Sequence, residues 1–383
     1  MTSNQDRFRR QVAFKPVGVD GQRMLANAKV AVIGLGALGS TIAERLVRCG
    51  VGYLRLIDRD WVELDNLPRQ ALYTLHDAEY HATKAMAAAG HLSAIDPTTK
   101  LEPIVSDVTH KNIRQWLQGI DIVVDGTDNF EVRYLINDAC VALGLPWVHG
   151  GIVGAAGQAM LIEPDHTACF RCLLPEAPPP NTAGSCDTVG VIGPAVGVIA
   201  SWQALLAMQW LVERKDQDPA KRPSVLTVFD LWLGDVRKIQ LHRVADCPCC
   251  GQKQFPFLEG KHSTDAQVLC GKNAVQVQVP SGIRLQLAEL ARRLRAEGEV
   301  VETPFLVRFS KGNSTLTVFA DGRAIVHGTE DPAEARKIYQ RWVGSLGLVA
   351  SGAFSRKGVS AHFPAISIAK ILLSADPTLI NFP

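Results

Sequence analysis

The hexapeptide GLGALG, residues 34 to 39, closes one apolar run and opens an amphipathic one. Its glycines Gly34, Gly36 and Gly39 leave backbone amides free to approach a phosphate at a helix N-terminus. Asp58 ends the next apolar run, 19 residues past Gly39, where it can accept a hydrogen bond from a ribose hydroxyl. These residues suit NAD and ATP equally. The stretch that follows, IDRDWVELDNLPRQ, discriminates. If Leu64 to Gln70 forms a helical turn, Asn66, Arg69 and Gln70 share one face at i, i+3 and i+4. Lys84 begins the next helical pattern and adds a second cation. Hydride transfer has no use for two cations and an amide focused on one phosphate. Displacement at the α-phosphate of ATP does, because negative charge builds on its oxygens and on the leaving pyrophosphate. Further on, DGTDN (Asp125 to Asn129) ends another apolar run. Asp128 there is suited to magnesium (Mg2+), which takes one or two carboxylates plus phosphates; Asp125 either does the same or caps the loop.

A second chemistry is written in cysteine. The nine cysteines include two close clusters, CFRC (Cys169, Cys172) and CPCC (Cys247, Cys249, Cys250). In a cytosolic chain such pairs favour a metal over disulfides. Cys169, Cys172, Cys247 and Cys250 would make a closed, structural zinc (Zn2+) site, with Cys249 as a rival for the fourth position despite its poorer spacing. Cys186 follows the proline-rich loop Pro175 to Gly184 and precedes a long apolar segment. A helix N-terminus there would lower its pKa and make it a nucleophile; a solvent-facing thiol without a role is the competing reading.

These residues require a particular scaffold. Residues 29 to 58 read strand, glycine turn, helix, strand, and further strands follow at LEPIVSDV and DIVVDGTDN, with helical patterns around Lys84 to Ile95 and Val132 to Leu143. That alternation predicts an α/β fold, a Rossmann-like, mostly parallel sheet with helices on both faces. PWVHGGIVG, GQAMLIEP, SVLTVFDLW and DVRKIQLHR extend it, the later ones as an antiparallel extension. After about Gly260 a small α+β domain is expected, with a hairpin at Asp321-Gly322 and a last helix capped by Asp331, with Pro332 at its first position and Glu334 three residues on. The expected organisation is an adenylating domain over 1–260, an accessory domain over 261–346 and a tail over 347–383.

Forty basic against 38 acidic residues give a net charge of +2, and no basic run points to nucleic acid. The polar N-terminus does not read as a signal peptide, so a cytoplasmic location is expected. The uncharged segment Thr188 to Val212 meets the length criterion for a membrane span. Its Pro194, Gln203 and Gln209 favour a buried or interface helix, so no membrane is expected.

Taken in order, RFRRQ (Arg7 to Gln11), GLGALG, DRDWVELDNLPRQ, Lys84, DGTDN, CFRC and CPCC resemble the bacterial ThiF/MoeB/HesA family, relatives of the ubiquitin-activating enzymes. The resemblance covers roughly residues 6 to 255. It implies adenylation of the C-terminal glycine of a ubiquitin-like sulfur carrier, serving thiamine, molybdopterin or thiolation pathways. It places Asp58 on the ribose, Asn66, Arg69 and Lys84 on the phosphates, and Asp128 on magnesium; Gln70 joins the nucleotide-binding set from the face it shares with Asn66 and Arg69. Arg10 is similar to an arginine that family homodimers lend to the partner's site, and Arg133 to another near the site. Ala37 stands where many members have glycine. The same resemblance supports zinc, and it gives Cys186 a covalent link to the carrier in some members and none in others. No rhodanese-like pattern is present, so a separate sulfur donor is expected. A peptide or tRNA substrate and an NAD-dependent oxidoreductase are the alternatives.

Overall fold

The structure is a computed structural model; it describes residues 7–177, 189–213, 223–261, 266–269, 273–277, 285–303, 306–312, 314–320 and 322–344. The chain divides into two compact units, the first running to residue 263 apart from 179–188, the second beginning at 264.

The first unit is built on eight strands: β1 (Lys29–Ile33), β2 (Tyr53–Asp58), β3 (Lys100–Val105), β4 (Ile122–Asp125), β5 (Trp147–Val153), β6 (Ala156–Ile162), β7 (Val225–Asp230) and β8 (Asp235–Gln240). They lie in the order β3-β2-β1-β4-β5-β6-β7-β8. The first five are parallel and β6 to β8 are antiparallel additions, as the sequence patterns anticipate. Apart from Lys29 at the start of β1 and Asp125 at the end of β4, both strands are apolar, because both faces of the sheet are covered. Val30, Val32, Ile122 and Val124 face one core, which contains α1 (Gly18–Asn27), α2 (Ala37–Arg48) and α3 (Lys84–Ile95). Ala31, Ile33 and Val123 face the other, beneath α4 (Phe130–Leu143).

The apolar segment becomes helix α5 (Gly193–Glu213). By length and composition it could cross a membrane, but it packs as a core helix against α2, β5 and β6. Its Ala195, Ile199, Ala204, Ala207 and Leu211 enter the first core. Gln203 is fully buried and donates to Asp125 O at 2.7 Å, which accounts for an amide in so apolar a helix.

The second unit is an antiparallel sheet in the order β11-β12-β13-β14-β10-β9, from β9 (Ala266–Leu269), β10 (Ala274–Val277), β11 (Glu299–Glu302), β12 (Leu306–Lys311), β13 (Ser314–Phe319) and β14 (Ala324–His327). Helices α6 (Leu287–Leu294) and α7 (Pro332–Trp342) cover one face, where Val307, Phe309, Leu316, Val318 and Val326 form the core. The expected hairpin joins β13 to β14, with Gly322 at φ +86°. Asp331 caps α7 by accepting from Ala333 N, with Pro332 in the first turn. Glu334 does not close the capping box; its carboxylate takes the Thr329 hydroxyl at 2.6 Å. The tail beyond residue 344 lies outside the described residues.

Candidate active site and cysteine cluster

The strand order reverses between β1 and β4, and loops leaving the carboxyl ends of β1, β2 and β4 converge there, the place where open α/β sheets bind ligands. The glycines of the first loop have separate tasks. Gly34 sits at φ +82°, and a Cβ on it would meet Gly126 C and O at 2.9 Å. A Cβ on Gly39 would lie 1.8 Å from Gly34 O. Gly36 differs, since a Cβ there would meet nothing within 4 Å. Two glycines close the turn, and the third borders open space.

Asp58 closes over this loop from β2. One carboxylate oxygen accepts from Leu35 N at 2.6 Å and the other from Asp60 N at 2.7 Å. Burial pushes its carboxyl above the ordinary range, against the pull of Lys84. Lys84 is buried at 6% exposure, so it is no solvated surface charge. Its Nζ lies 3.4 Å from Asp60 Oδ2. Burial opposes its charge, but Asp60, Asp58 and Asp128 outweigh that and hold its pKa above the usual lysine value. Arg59 is in the same position, held protonated against burial by Asp107, Asp60, Asp128 and Asp58. Two cations therefore stand among four carboxylates at the carboxyl edge of the sheet.

The segment after β2 forms the expected turn, a 3-10 helix at Leu64–Asn66 continued by Arg69 N and Gln70 N, which both donate to Asn66 O. Asn66 is buried and does local work. Its Oδ1 accepts from Glu63 N at 3.2 Å and its Nδ2 donates to Asp65 at 2.8 Å. The Arg69 guanidinium is folded back to donate to Asp65 O. Gln70 is 4% exposed, and its Oε1 has no hydrogen-bond partner, the kind of orphaned polar atom that a ligand satisfies.

Asp125 and Asp128, three residues apart, divide the labour. Asp125 is fully buried, with Arg133 Nε at 2.8 Å and Thr127 N and Oγ1 at 2.9 and 2.6 Å. Arg133 also donates to Thr127 O and Gly150 O. Burial raises the Asp125 pKa, but Arg133 and its hydrogen bonds more than offset this, so it stays ionised. Asp125 is thus a structural anchor with no free oxygen for an ion, and Arg133 is its clamp. Asp128 is exposed at the same loop and remains available. Arg10 lies on a one-turn helix, Arg9–Val12, exposed and outside this group of side chains. Cys186 lies outside the described residues.

Arg59, Asp60, Asp107 and Tyr73 carry no role that their spacing alone reveals. Arg59 and Asp60 directly follow Asp58, and Asp107 stands just beyond the carboxyl end of β3, so the switch-point rule was the available signal for all three.

On the opposite face of the sheet, Cys169, Cys172, Cys247 and Cys250 place their four Sγ atoms within 4.8 Å of one another. Separations of 3.7, 3.9 and 3.5 Å match the edge of about 3.8 Å for a tetrahedron of metal–thiolate bonds near 2.3 Å. The donor set and shape fit a tetrahedral metal ion. Cys249 is buried outside this group, where Asn137 Nδ2 donates to its Sγ at 3.1 Å. The choice between Cys249 and Cys250 falls to Cys250.

The ThiF family profile matches residues 8–249. The sulfur carrier protein ThiS adenylyltransferase of Bacillus subtilis is 41% identical over 342 residues, 88% of this chain and 99% of that protein. That match is longer than the first unit, so it extends into the second. The sulfur carrier protein ThiS adenylyltransferase of Escherichia coli is 37% identical over 64% of this chain and 94% of its own length. The SAMP-activating enzyme E1 of Haloferax volcanii is 36% identical over 66% of this chain and 92% of its own. Among solved structures, E. coli MccB superposes with a TM-score of 0.56 at 22% identity, covering 66% of this chain and 74% of that one, a likeness of fold.

Proposed function

The chain belongs to the ThiF family, and on that premise we propose that it is an ATP-dependent adenylyltransferase acting on the C-terminal carboxylate of a ubiquitin-like sulfur-carrier protein. The observation that carries this reading is buried Lys84, facing Asp58, Asp60 and Asp128 beside the glycine loop. A hydride-transfer site needs the loop and Asp58 but has no task for that cation.

The glycine loop and Asp58 hold the phosphates and ribose, and Gln70 offers its unpaired Oε1 as an acceptor to the nucleotide. Lys84 and Arg69 stabilise charge on the α-phosphate oxygens and the departing pyrophosphate as the carrier carboxylate attacks. Arg69 reaches the phosphates by leaving Asp65. No general base is required, because a carboxylate is already a competent nucleophile; positioning and charge stabilisation supply the catalysis. Asp128 is the residue to hold magnesium, which when bound neutralises phosphate charge. Cys169, Cys172, Cys247 and Cys250 hold zinc as a structural tie. The enzyme works in the cytoplasm as a homodimer in which Arg10 serves the partner's site. A separate protein donates the sulfur, and Cys186 is the candidate for a covalent link to the carrier. The pathway, thiamine, molybdopterin or thiolation, follows from the carrier.

ATP–pyrophosphate exchange, measured with magnesium and each ubiquitin-like carrier of the same organism in turn, tests the reading. Exchange that depends on one carrier's terminal glycine is expected. Silence with every carrier, from protein that binds ATP, would overturn it.

A further inference from the structure

Leu35, between the first two glycines, is held on both of its peptides. Its N–H donates to Asp58, and its carbonyl oxygen accepts from the Tyr73 hydroxyl at 2.7 Å. Tyr73 arrives from the segment after Gln70 and is buried in the first core. Its hydroxyl has one hydrogen, and Leu35 O is nearer than Lys84 O at 3.4 Å. Burial and the charges of Asp58, Asp77 and Asp60 push its pKa well above the ordinary value, so it remains a donor at neutral pH.

A trans peptide is planar, with its C=O and N–H pointing in opposite directions. Fixing Leu35 O therefore fixes the direction of Gly36 N–H, on the glycine that borders open space. We infer that Tyr73 is a positioning residue for the nucleotide: its hydroxyl sets the Leu35–Gly36 peptide so that Gly36 N–H faces a phosphate. The inference rests on the ATP-dependent reading above.

Tyr73→Phe removes the hydroxyl and little else. Calorimetric titration of the full chain with ATP and magnesium is expected to show affinity falling about fivefold, the effect of one net hydrogen bond. The KM for ATP in pyrophosphate exchange should rise in step, with the KM for the carrier unchanged. Tyr134→Phe is the control. It deletes another buried hydroxyl, which donates to Leu174 O at 2.9 Å under the opposite face, and should lower the melting temperature while sparing ATP affinity. Wild-type affinity in Tyr73→Phe, or equal weakening in Tyr134→Phe, would overturn the inference. Failure of the wild-type chain to bind ATP would instead sink the adenylyltransferase reading, and the inference with it. Should Tyr73→Phe not fold, amide hydrogen exchange on the wild-type chain decides: ATP must protect the Gly36 amide, and an unprotected amide refutes its aim.

Discussion

Replacing Cys250 with serine is expected to loosen the whole first unit, and the size of the effect follows from chain topology. Cys169 and Cys247 are 78 residues apart, as are Cys172 and Cys250. Closing a loop of that length with a cross-link removes about 4.5 kcal/mol of denatured-state freedom in the chain-entropy treatment. A four-thiolate metal clip closes the same loop. For a unit of this size the loss corresponds to roughly 10 °C of melting temperature, a large share of the about 5–15 kcal/mol that holds a domain folded. Cys249→Ser is the matched comparison one residue away. It alters a thiol that accepts from Asn137 and hydrogen-bonds Asp138, and should cost about 1 kcal/mol. Thermal melts followed by circular dichroism, with metal content by mass spectrometry, give the readout. Wild type and Cys249→Ser should carry one zinc per chain, and a strong chelator should bring wild type down to about the melting temperature of Cys250→Ser and Cys249→Ser a few degrees below it. A Cys250→Ser protein that keeps its metal, or a Cys249→Ser protein that loses it, would refute the assignment of the fourth ligand.

Three other outcomes are expected. Lys84→Met or Arg69→Ala should slow pyrophosphate exchange by at least about a hundredfold, the scale of a single lost donor to a developing oxyanion; a near-normal rate in either removes that residue from catalysis. Asp128→Asn should raise the magnesium concentration needed for half-maximal exchange while leaving the melting temperature alone, because Asp128 is exposed; an unchanged magnesium profile would discard the role. His149 is fully buried, and burial lowers its pKa to about 4 despite the attraction of Asp125. The unfolded chain binds that proton near pH 6.5 and the folded chain does not. Stability from this group is thus complete above about pH 6.5 and falls by roughly 3 kcal/mol as the pH drops towards 4. Urea midpoints of His149→Gln against wild type should diverge in slope over that window; parallel curves would show that His149 does not titrate between the two states.

Much of this molecule was legible before any coordinates because its signals are local. The apolar runs of β1 and β4, the glycine turn after β1 and the hairpin at Gly322 are decided by neighbours in sequence, where periodicity and left-handed backbone act within a few residues. The same holds for the spacing of CFRC and CPCC, and for the turn that brings Asn66, Arg69 and Gln70 together.

What the sequence could not decide depends on the crossing of segments far apart in the chain. Asp125 and Asp128 are equivalent as letters. Arg133, Thr127 and Gly150 assemble around the first and leave the second exposed, so one becomes an anchor and the other a candidate ligand. Lys84 reads from its spacing as a cation for the phosphates, but only the convergence of β1, β2 and β4 buries it among the carboxylates that follow β2 and β4. Cys249 and Cys250 differ by one position, yet α4 supplies Asn137 to one and the turn at Cys169–Cys172 supplies thiols to the other. Spacing along the chain fixes which residues can meet. Burial and hydrogen-bond satisfaction, which exist only once the sheet and its helices have packed, fix what each of them does.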